Sequence, residues 1–272
     1  MIYLSSFKLS DKKMKNPNIY PYNVFSGKYI DPFVFAPVTV FCGNNGSGKS
    51  TLLNIIANRL QIKGKEYATS NSFGNVDYCG TFAKECSYSL GEDESGRKFR
   101  NLPENSRYIK SEDILYEIKK IQQRQVLSDG MLYDYVKKGM TKEEAKCYLS
   151  SREGVKQQSY IEFAQEKYSN GETSLMFFEE YLLPDALYLL DEPEVSLSPE
   201  NQVHLADEIN KLVRLLGCQF IIASHSPFML GTLDAKIYNI DSQEYDTVKW
   251  SDLKNVRYFY DFFKKHENEF EL

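Results

Sequence analysis

The sequence lacks several features that would decide its class at once. No apolar run reaches the roughly 18 residues needed for a membrane-crossing helix, and the most apolar stretches toward the C-terminal half are broken by Glu179, Asp185 or Asp191. Met1–Lys8 has no basic start, apolar block and small-residue cleavage site, so it does not read as a secretory leader, and a cytoplasmic location is expected. The five cysteines, Cys42, Cys79, Cys86, Cys147 and Cys218, are odd in number and never spaced as CxxC. Cys79 and Cys86 are too far apart for a zinc knuckle and have no histidine beside them. Buried or half-buried reduced thiols are expected. Only His204, His225 and His266 could supply imidazole chemistry. Positive charge is not in excess: 33 Lys and Arg stand against 38 Asp and Glu, a net charge of -5. That excludes a general nucleic-acid coat, which needs a basic field to displace counterions from phosphates. Internal repeats and long heptad runs are also missing, so solenoids and coiled coils are excluded.

What remains is an ordinary globular composition in 272 residues, with 42% hydrophobic and 26% charged residues. The unusual number is aromatic: 20 Tyr and 17 Phe against one Trp, so aromatic rings supply much of the burial. Short β-branched runs alternate with amphipathic ones, which points to an α/β fold. Residues 37–42 read as a buried strand, residues 49–60 as a helix, and residues 62–108 as short strands joined by polar loops. Residues 111–166 are rich in Lys, Glu, Gln and Leu, as in a helical insert. Ala186–Leu190 and Gln219–Ala223 are two further buried strands. Between them Ser198-Pro199 caps a helix whose stripe is Leu205, Ile209, Leu212 and Leu216, ended by Gly217. Residues 237–240 and 247–250 read as a terminal hairpin. Val256–Phe270 reads as an aromatic amphipathic helix.

The strand at 37–42 runs into Gly43-Asn44-Asn45-Gly46-Ser47-Gly48-Lys49-Ser50, a full GxxxxGK[ST] phosphate-loop motif, followed by Thr51. The glycines let backbone N–H groups close around phosphate oxygens, and the following helix N-terminus adds partial positive charge. Lys49 is placed to reach the β- and γ-phosphates, Ser50 to ligate Mg²⁺, and Thr51 to touch a phosphate. Some 140 residues on, Leu187–Leu190 ends in Asp191-Glu192. A parallel strand would deliver these carboxylates beside the phosphate loop. There Asp191 can hold Mg²⁺, and Glu192 can take a proton from an attacking water. The third strand ends in Ser224-His225-Ser226-Pro227, where His225 could sense a γ-phosphate. His204 and His266 fall on solvated helix faces.

These residues resemble an ABC-type ATPase over nearly the whole chain. Ser169-Asn170-Gly171-Glu172-Thr173, opening a helix to Leu183, fits the family's signature loop. The Asp191-Glu192-Pro193-Glu194 and Leu197-Ser198-Pro199 wording, with Ser198 where transporter ATPases carry Asp, resembles the soluble branch that includes RecF-like and SMC-like ATPases. More narrowly the chain is similar to small bacterial predicted AAA-family ATPases, through Tyr20-Pro21-Tyr22, Ala235–Tyr238 and Tyr258–Phe270. The resemblance implies a P-loop NTPase fold with a mixed sheet core, one domain over residues 1–272, and a helical lobe at about 111–184 inserted between the motifs. It implies Mg-ATP as ligand and a head-to-tail homodimer in which Ser169, Gly171 and Glu172 of one subunit contact the γ-phosphate bound by the other. Hydrolysis would drive or license a protein partner in DNA maintenance or defence. No Gln stands at the usual water- and metal-contacting loop, and Glu112, after Tyr108–Ser111, is the substitute. Tyr20 and Tyr22 are candidates for stacking on adenine, with core packing the competing role. DNA binding is unsupported by net charge. The basic residues Lys119, Lys120, Arg124, Lys137 and Lys138 read as a solvated face. A transporter's ATPase subunit and a nucleotide-sensing module with little turnover are the alternatives.

Overall fold

The computed structural model describes residues 1–16, 18–28, 31–66, 77–111, 131–133, 135–151, 154, 182–195 and 197–270. Among the described residues the strands are β1 (Leu4–Lys8), β2 (Phe33–Val34), β3 (Val38–Cys42), β4 (Ser87–Leu90), β5 (Arg107–Lys110), β6 (Leu187–Asp191), β7 (Gln219–Ala223) and β8 (Lys236–Asn239). The helices are α1 (Tyr22–Phe25), α2 (Lys49–Leu60), α3 (Tyr78–Glu85), α4 (Lys142–Leu149), α5 (Pro199–Leu215), α6 (Pro227–Thr232) and α7 (Lys254–Lys265). The chain forms two compact units, one of residues 1–111 and 183–272 and one of residues 112–182.

The larger unit is built on a parallel five-stranded sheet in the order β5-β6-β7-β3-β8. Every residue of β3, β6 and β7 is buried, which is why these segments read as unbroken apolar runs rather than alternating ones. In register, Val40 faces Ile222 on one side and Ile237 on the other, while Leu190 also lies opposite Ile222. A second sheet, β2-β1-β4, is antiparallel. A polar side chain from the parallel sheet reaches it. Gln219 is fully buried, accepts the N–H groups of Tyr3 and Leu4 at 2.8 and 2.9 Å, and donates to the carbonyls of Leu4 at 2.9 Å and Ala36 at 3.2 Å. All four bonds of a primary amide are met, so its burial is not penalised.

Leu52, Leu53 and Ile56 of α2 pack with Phe41, Leu187, Leu189 and Ile221 in one core. Part of the aromatic excess is spent here: Phe33 lies 5.1 Å from Phe41, 5.2 Å from Tyr238 and 5.3 Å from Tyr245, ring centre to ring centre. Ser198 caps α5 by accepting the Asn201 N–H, and Pro199 occupies its first position, as the sequence led one to expect. Leu205 and Ile209 are buried, but Leu216 lies past the end of the helix and is exposed.

The stretch read as short strands contains a helix, α3. Asp77 caps it by accepting the Gly80 N–H at 2.8 Å, and Phe82 packs on Tyr22 and Phe25. The expected terminal hairpin is also different. β8 is a parallel neighbour of β3, and the return segment meets it through the single bridge Tyr238–Thr247 before Trp250–Asp252 turns as a 3-10 helix. The terminal helix exists as α7, but only Val256 of it is buried, while Tyr258, Phe259, Tyr260, Phe262 and Phe263 are exposed. The aromatics of this helix are therefore not core, contrary to the simplest reading of the composition.

In the smaller unit Thr141 and Glu144 form a reciprocal cap on α4, and the Tyr135 and Tyr148 rings lie 5.0 Å apart. Lys138 sits 5.6 Å above the Tyr135 ring. Glu112, Ser169, Gly171, Glu172, Lys119, Lys120 and Arg124 lie outside the described residues.

Candidate nucleotide-binding site

The C-terminal edge of the parallel sheet carries the site, because parallel strands deliver their last residues to one edge. After Cys42 the backbone turns through residues 43–48 into α2. Gly48 has φ +99°, and a Cβ there would lie 2.5 Å from Val24 Cγ1, so both its conformation and its surroundings demand glycine. A Cβ on Gly43 would meet Ser47 Oγ at 2.8 Å. The Lys49 side chain is buried and folds over the loop. Its Nζ donates to the carbonyls of Gly43 at 2.8 Å and Asn44 at 3.1 Å, and lies 3.7 Å from Glu192 Oε1.

Ser50 Oγ donates to Asp191 Oδ1 at 3.0 Å. The two motifs, 141 residues apart in sequence, thus meet directly. Asp191 is itself buried and also accepts from the Tyr108 hydroxyl at 3.2 Å. Burial pushes its carboxyl above the ordinary aspartate value. The Ser50 and Tyr108 hydrogen bonds oppose that rise, and neighbouring Glu192 adds to it. Glu192 has φ +47°, an uncommon conformation for a non-glycine residue, with its N–H held by the Ala223 carbonyl at 2.9 Å. His225, half-exposed, places Nδ1 3.6 Å from Glu192 Oε1. Lys49, Ser50, Asp191, Glu192 and His225 therefore share one edge. His204 is exposed on α5, and His266 pairs with Glu269 at 2.6 Å, outside this group.

Several residues of the site had no motif to announce them. Tyr108 holds Asp191. Asp241, just after β8, accepts the Asn44 N–H with both carboxylate oxygens at 3.0 Å. The Lys28 ammonium donates to the Ile240 carbonyl at 2.6 Å, and burial lowers its pKa while Asp241 raises it. The Tyr20 hydroxyl donates to Thr51 Oγ1 at 3.2 Å with its ring half-exposed, whereas Tyr22 is buried and donates to Glu85 at 2.9 Å. Of the two tyrosines raised as ring-stacking candidates, Tyr22 is a core residue and Tyr20 stands at the loop.

The residues fit a magnesium nucleotide. Ser47 Oγ, inside the loop, is buried with no hydrogen-bond partner among the described residues. An unpaired buried hydroxyl at a turn of backbone N–H groups suits an anion. No group of three or more His, Cys, Asp or Glu among the described residues could hold a metal by itself. The Ser50 and Asp191 oxygens are two hard ligands, the number Mg²⁺ takes from a protein when phosphates and water supply the rest.

A phosphate loop between the first motif strand and its helix, with an acidic pair at the end of β6, one strand removed from β3 across β7 in the same parallel sheet, defines an α/β P-loop domain. The chain belongs to the family described as "AAA domain, putative AbiEii toxin, Type IV TA system", whose sequence model matches residues 81–231, more than half of the chain. The match includes Asp191, Glu192 and His225 and begins after the phosphate loop. Among solved structures the chain is similar to the SMC head domain from Thermotoga maritima, at 15% identity, 91% coverage of this chain, 99% of that chain and a TM-score of 0.43. It is also similar to cbiO1 from Clostridium perfringens, part of the ABC transporter complex cbiONQ, at 14% identity, 99% and 96% coverage and a TM-score of 0.46. No curated protein matches the chain. Among the described residues no helix is long and apolar enough to cross a membrane.

Proposed function

We propose that the chain binds Mg-ATP and hydrolyses it in a head-to-tail dimer, and that turnover drives or licenses a protein partner. The contact between Ser50 Oγ and Asp191 Oδ1 carries this reading, because it joins the phosphate loop to the carboxylate strand. Lys49 and the loop formed by residues 43–50 hold the phosphates, with Thr51 at the edge. Ser50 and Asp191 hold Mg²⁺, which when bound neutralises charge on the transferring phosphoryl group. Glu192 takes the proton of the attacking water, and His225 faces the γ-phosphate. Glu112 contacts the metal or its water. Ser169, Gly171 and Glu172 of a second subunit close on the same phosphate. We read residues 1–272 as one ATPase domain with a helical lobe at about 111–184 inserted between the two motifs.

The partner belongs to a defence or DNA-maintenance setting. The toxin–antitoxin wording of the family favours defence, and a net charge of -5 disfavours DNA as the direct ligand. Ser198, which stands where transporter ATPases carry Asp, is occupied in capping α5, so a transporter role has no support from that loop.

The test is phosphate release together with mass in solution, with and without Mg-ATP, for wild type and Glu192→Gln. Wild type should release phosphate, and Glu192→Gln should accumulate as an ATP-bound dimer. Monomers in both cases would overturn the dimer. Binding without release in wild type would leave the sensing module as the function.

A further inference from the structure

Glu194 is a buried carboxylate with no part in the chemistry above. It sits three residues beyond Asp191 and is 4% exposed. A carboxylate so enclosed is costly unless donors claim it. The donors come from the loop after β7. Glu194 Oε1 accepts the Ser224 hydroxyl at 2.7 Å and the backbone N–H of His225 at 3.0 Å. The other backbone group of His225, its carbonyl, accepts Asn255 Nδ2 from α7 at 3.0 Å. Next along, Ser226 Oγ donates to Gln202 Oε1, and Gln202 Nε2 donates to the Leu197 carbonyl at 2.9 Å.

Both backbone groups of His225 are thus held by side chains from different elements. The imidazole is held differently. Its Nδ1 is buried without a hydrogen-bond partner among the described residues, and so is Glu194 Oε2. Nδ1 lies 3.6 Å from Glu192 Oε1 and 3.6 Å from Glu194 Oε1. Either distance is too long for a hydrogen bond and short enough for a modest side-chain rotation to make one.

The geometry points to Glu194 and Asn255 as positioning residues that clamp the His225 backbone, so that the imidazole moves only about its own torsions between Glu194 and Glu192. Turned to Glu194, the ring gives the otherwise unpaired Nδ1 a carboxylate partner. Turned to Glu192, it stands beside the group that handles the water. This deepens the reading of Glu192 and His225 given under Proposed function and rests on it. Neither clamp residue meets the phosphate in this scheme, so losing one should slow turnover without weakening nucleotide binding to the same degree.

The experiment pairs amide hydrogen exchange of the nucleotide-free protein with steady-state ATP hydrolysis, for Glu194→Ala, Glu194→Gln and Asn255→Ala. In Glu194→Ala the His225 amide should exchange about 10-fold faster or more, the loss of one charge-assisted hydrogen bond. Its kcat should fall on the order of 100-fold, while KM for ATP changes several-fold less. Glu194→Gln keeps an oxygen acceptor for Ser224 and His225, so it should restore slow exchange and most of kcat. Asn255→Ala, at a half-exposed position, should lower kcat in the same pattern and remains readable if Glu194→Ala fails to fold. An unchanged His225 amide in folded Glu194→Ala would overturn the clamp. So would a Glu194→Gln variant as damaged as Glu194→Ala, or kcat and KM moving together in Asn255→Ala. If wild type hydrolyses no ATP, the exchange arm still reads the clamp and only the hydrolytic reading falls.

Discussion

The phosphate loop and the His225 loop leave the ends of adjacent strands, β3 and β7, and are stabilised in opposite ways. The phosphate loop takes most of its shape from residue types within itself, with Asp241 as an outside anchor on the Asn44 N–H. Gly46 and Gly48 adopt positive φ, and Lys49 bonds carbonyls five and six residues back. The His225 loop has no glycine and takes its shape from side chains that arrive from Glu194, Gln202 and Asn255. The first kind of loop keeps its form largely through its own residues, which suits a binding surface. The second can be released by moving any element that holds it, which suits a part that must respond to what the first one binds.

The contrast can be broken or sharpened by mutation. The largest effect is expected for Glu192→Gln, where hydrolysis should fall by ~10²–10⁴ because the base is lost. Nucleotide affinity, read by calorimetry, should hold, since Glu192 belongs to the responding side. Lys49→Ala attacks the binding side and should cost roughly 100-fold or more in affinity, the loss of charge-assisted contacts to phosphate. If Lys49→Ala still bound ATP tightly, the assignment of Lys49 as the principal phosphate contact of this loop would be wrong.

Ile222→Ala acts on what the two loops share. Ile222 lies opposite both Val40 and Leu190 in the sheet and is fully buried. Denaturant unfolding should show a loss of about 2–5 kcal/mol, and binding and turnover should suffer together rather than separately.

The smallest effect concerns pH. Burial pushes the Asp191 carboxyl up, and the Tyr108 hydroxyl works against that rise. Tyr108→Phe removes the opposing bond, so the carboxyl rises further. Mg²⁺ binding needs the carboxylate, so its loss on acidification should begin at higher pH in the variant. At a pH near that transition, Mg-ATP affinity should drop roughly 5-fold, the worth of one buried hydrogen bond. An identical pH dependence in Tyr108→Phe and wild type would mean that Tyr108 does not help to keep Asp191 charged. The stability sign runs the same way: a carboxyl raised by burial opposes folding once ionised, so the nucleotide-free protein should lose stability as pH rises through the carboxylate range.

The same contrast explains what the sequence made legible. Gly43 to Ser50 could be read because the loop's conformation is written in adjacent residue types. Asp191, Glu192 and His225 could be read because each ends an apolar run that only a buried strand explains. Tyr108, Glu194, Asp241 and Asn255 could not. Their partners lie 83, 31, 197 and 30 residues away, and pairings across such separations exist only once the sheet is assembled. Tyr108 is also one of 20 tyrosines, so nothing marks it. Helix α3 was missed because its register depends on the Asp77 cap and on Phe82 meeting Tyr22 and Phe25. The amphipathic pattern of α7 was plain, but periodicity says which residues share a face and not whether that face is covered. The exposed rings of Phe259 and Phe263 make the point.

Trp250 gives the protein an optical property of its own. It is the sole tryptophan. It sits in the 3-10 turn before α7, with its ring against Gly231 of α6, the helix that begins one residue after Ser226. An indole at that junction, about 42% exposed, is a native fluorophore between the two helices that flank the His225 loop. Its emission wavelength and quenching by iodide can be followed in real time while nucleotide is added, with no dye or label attached.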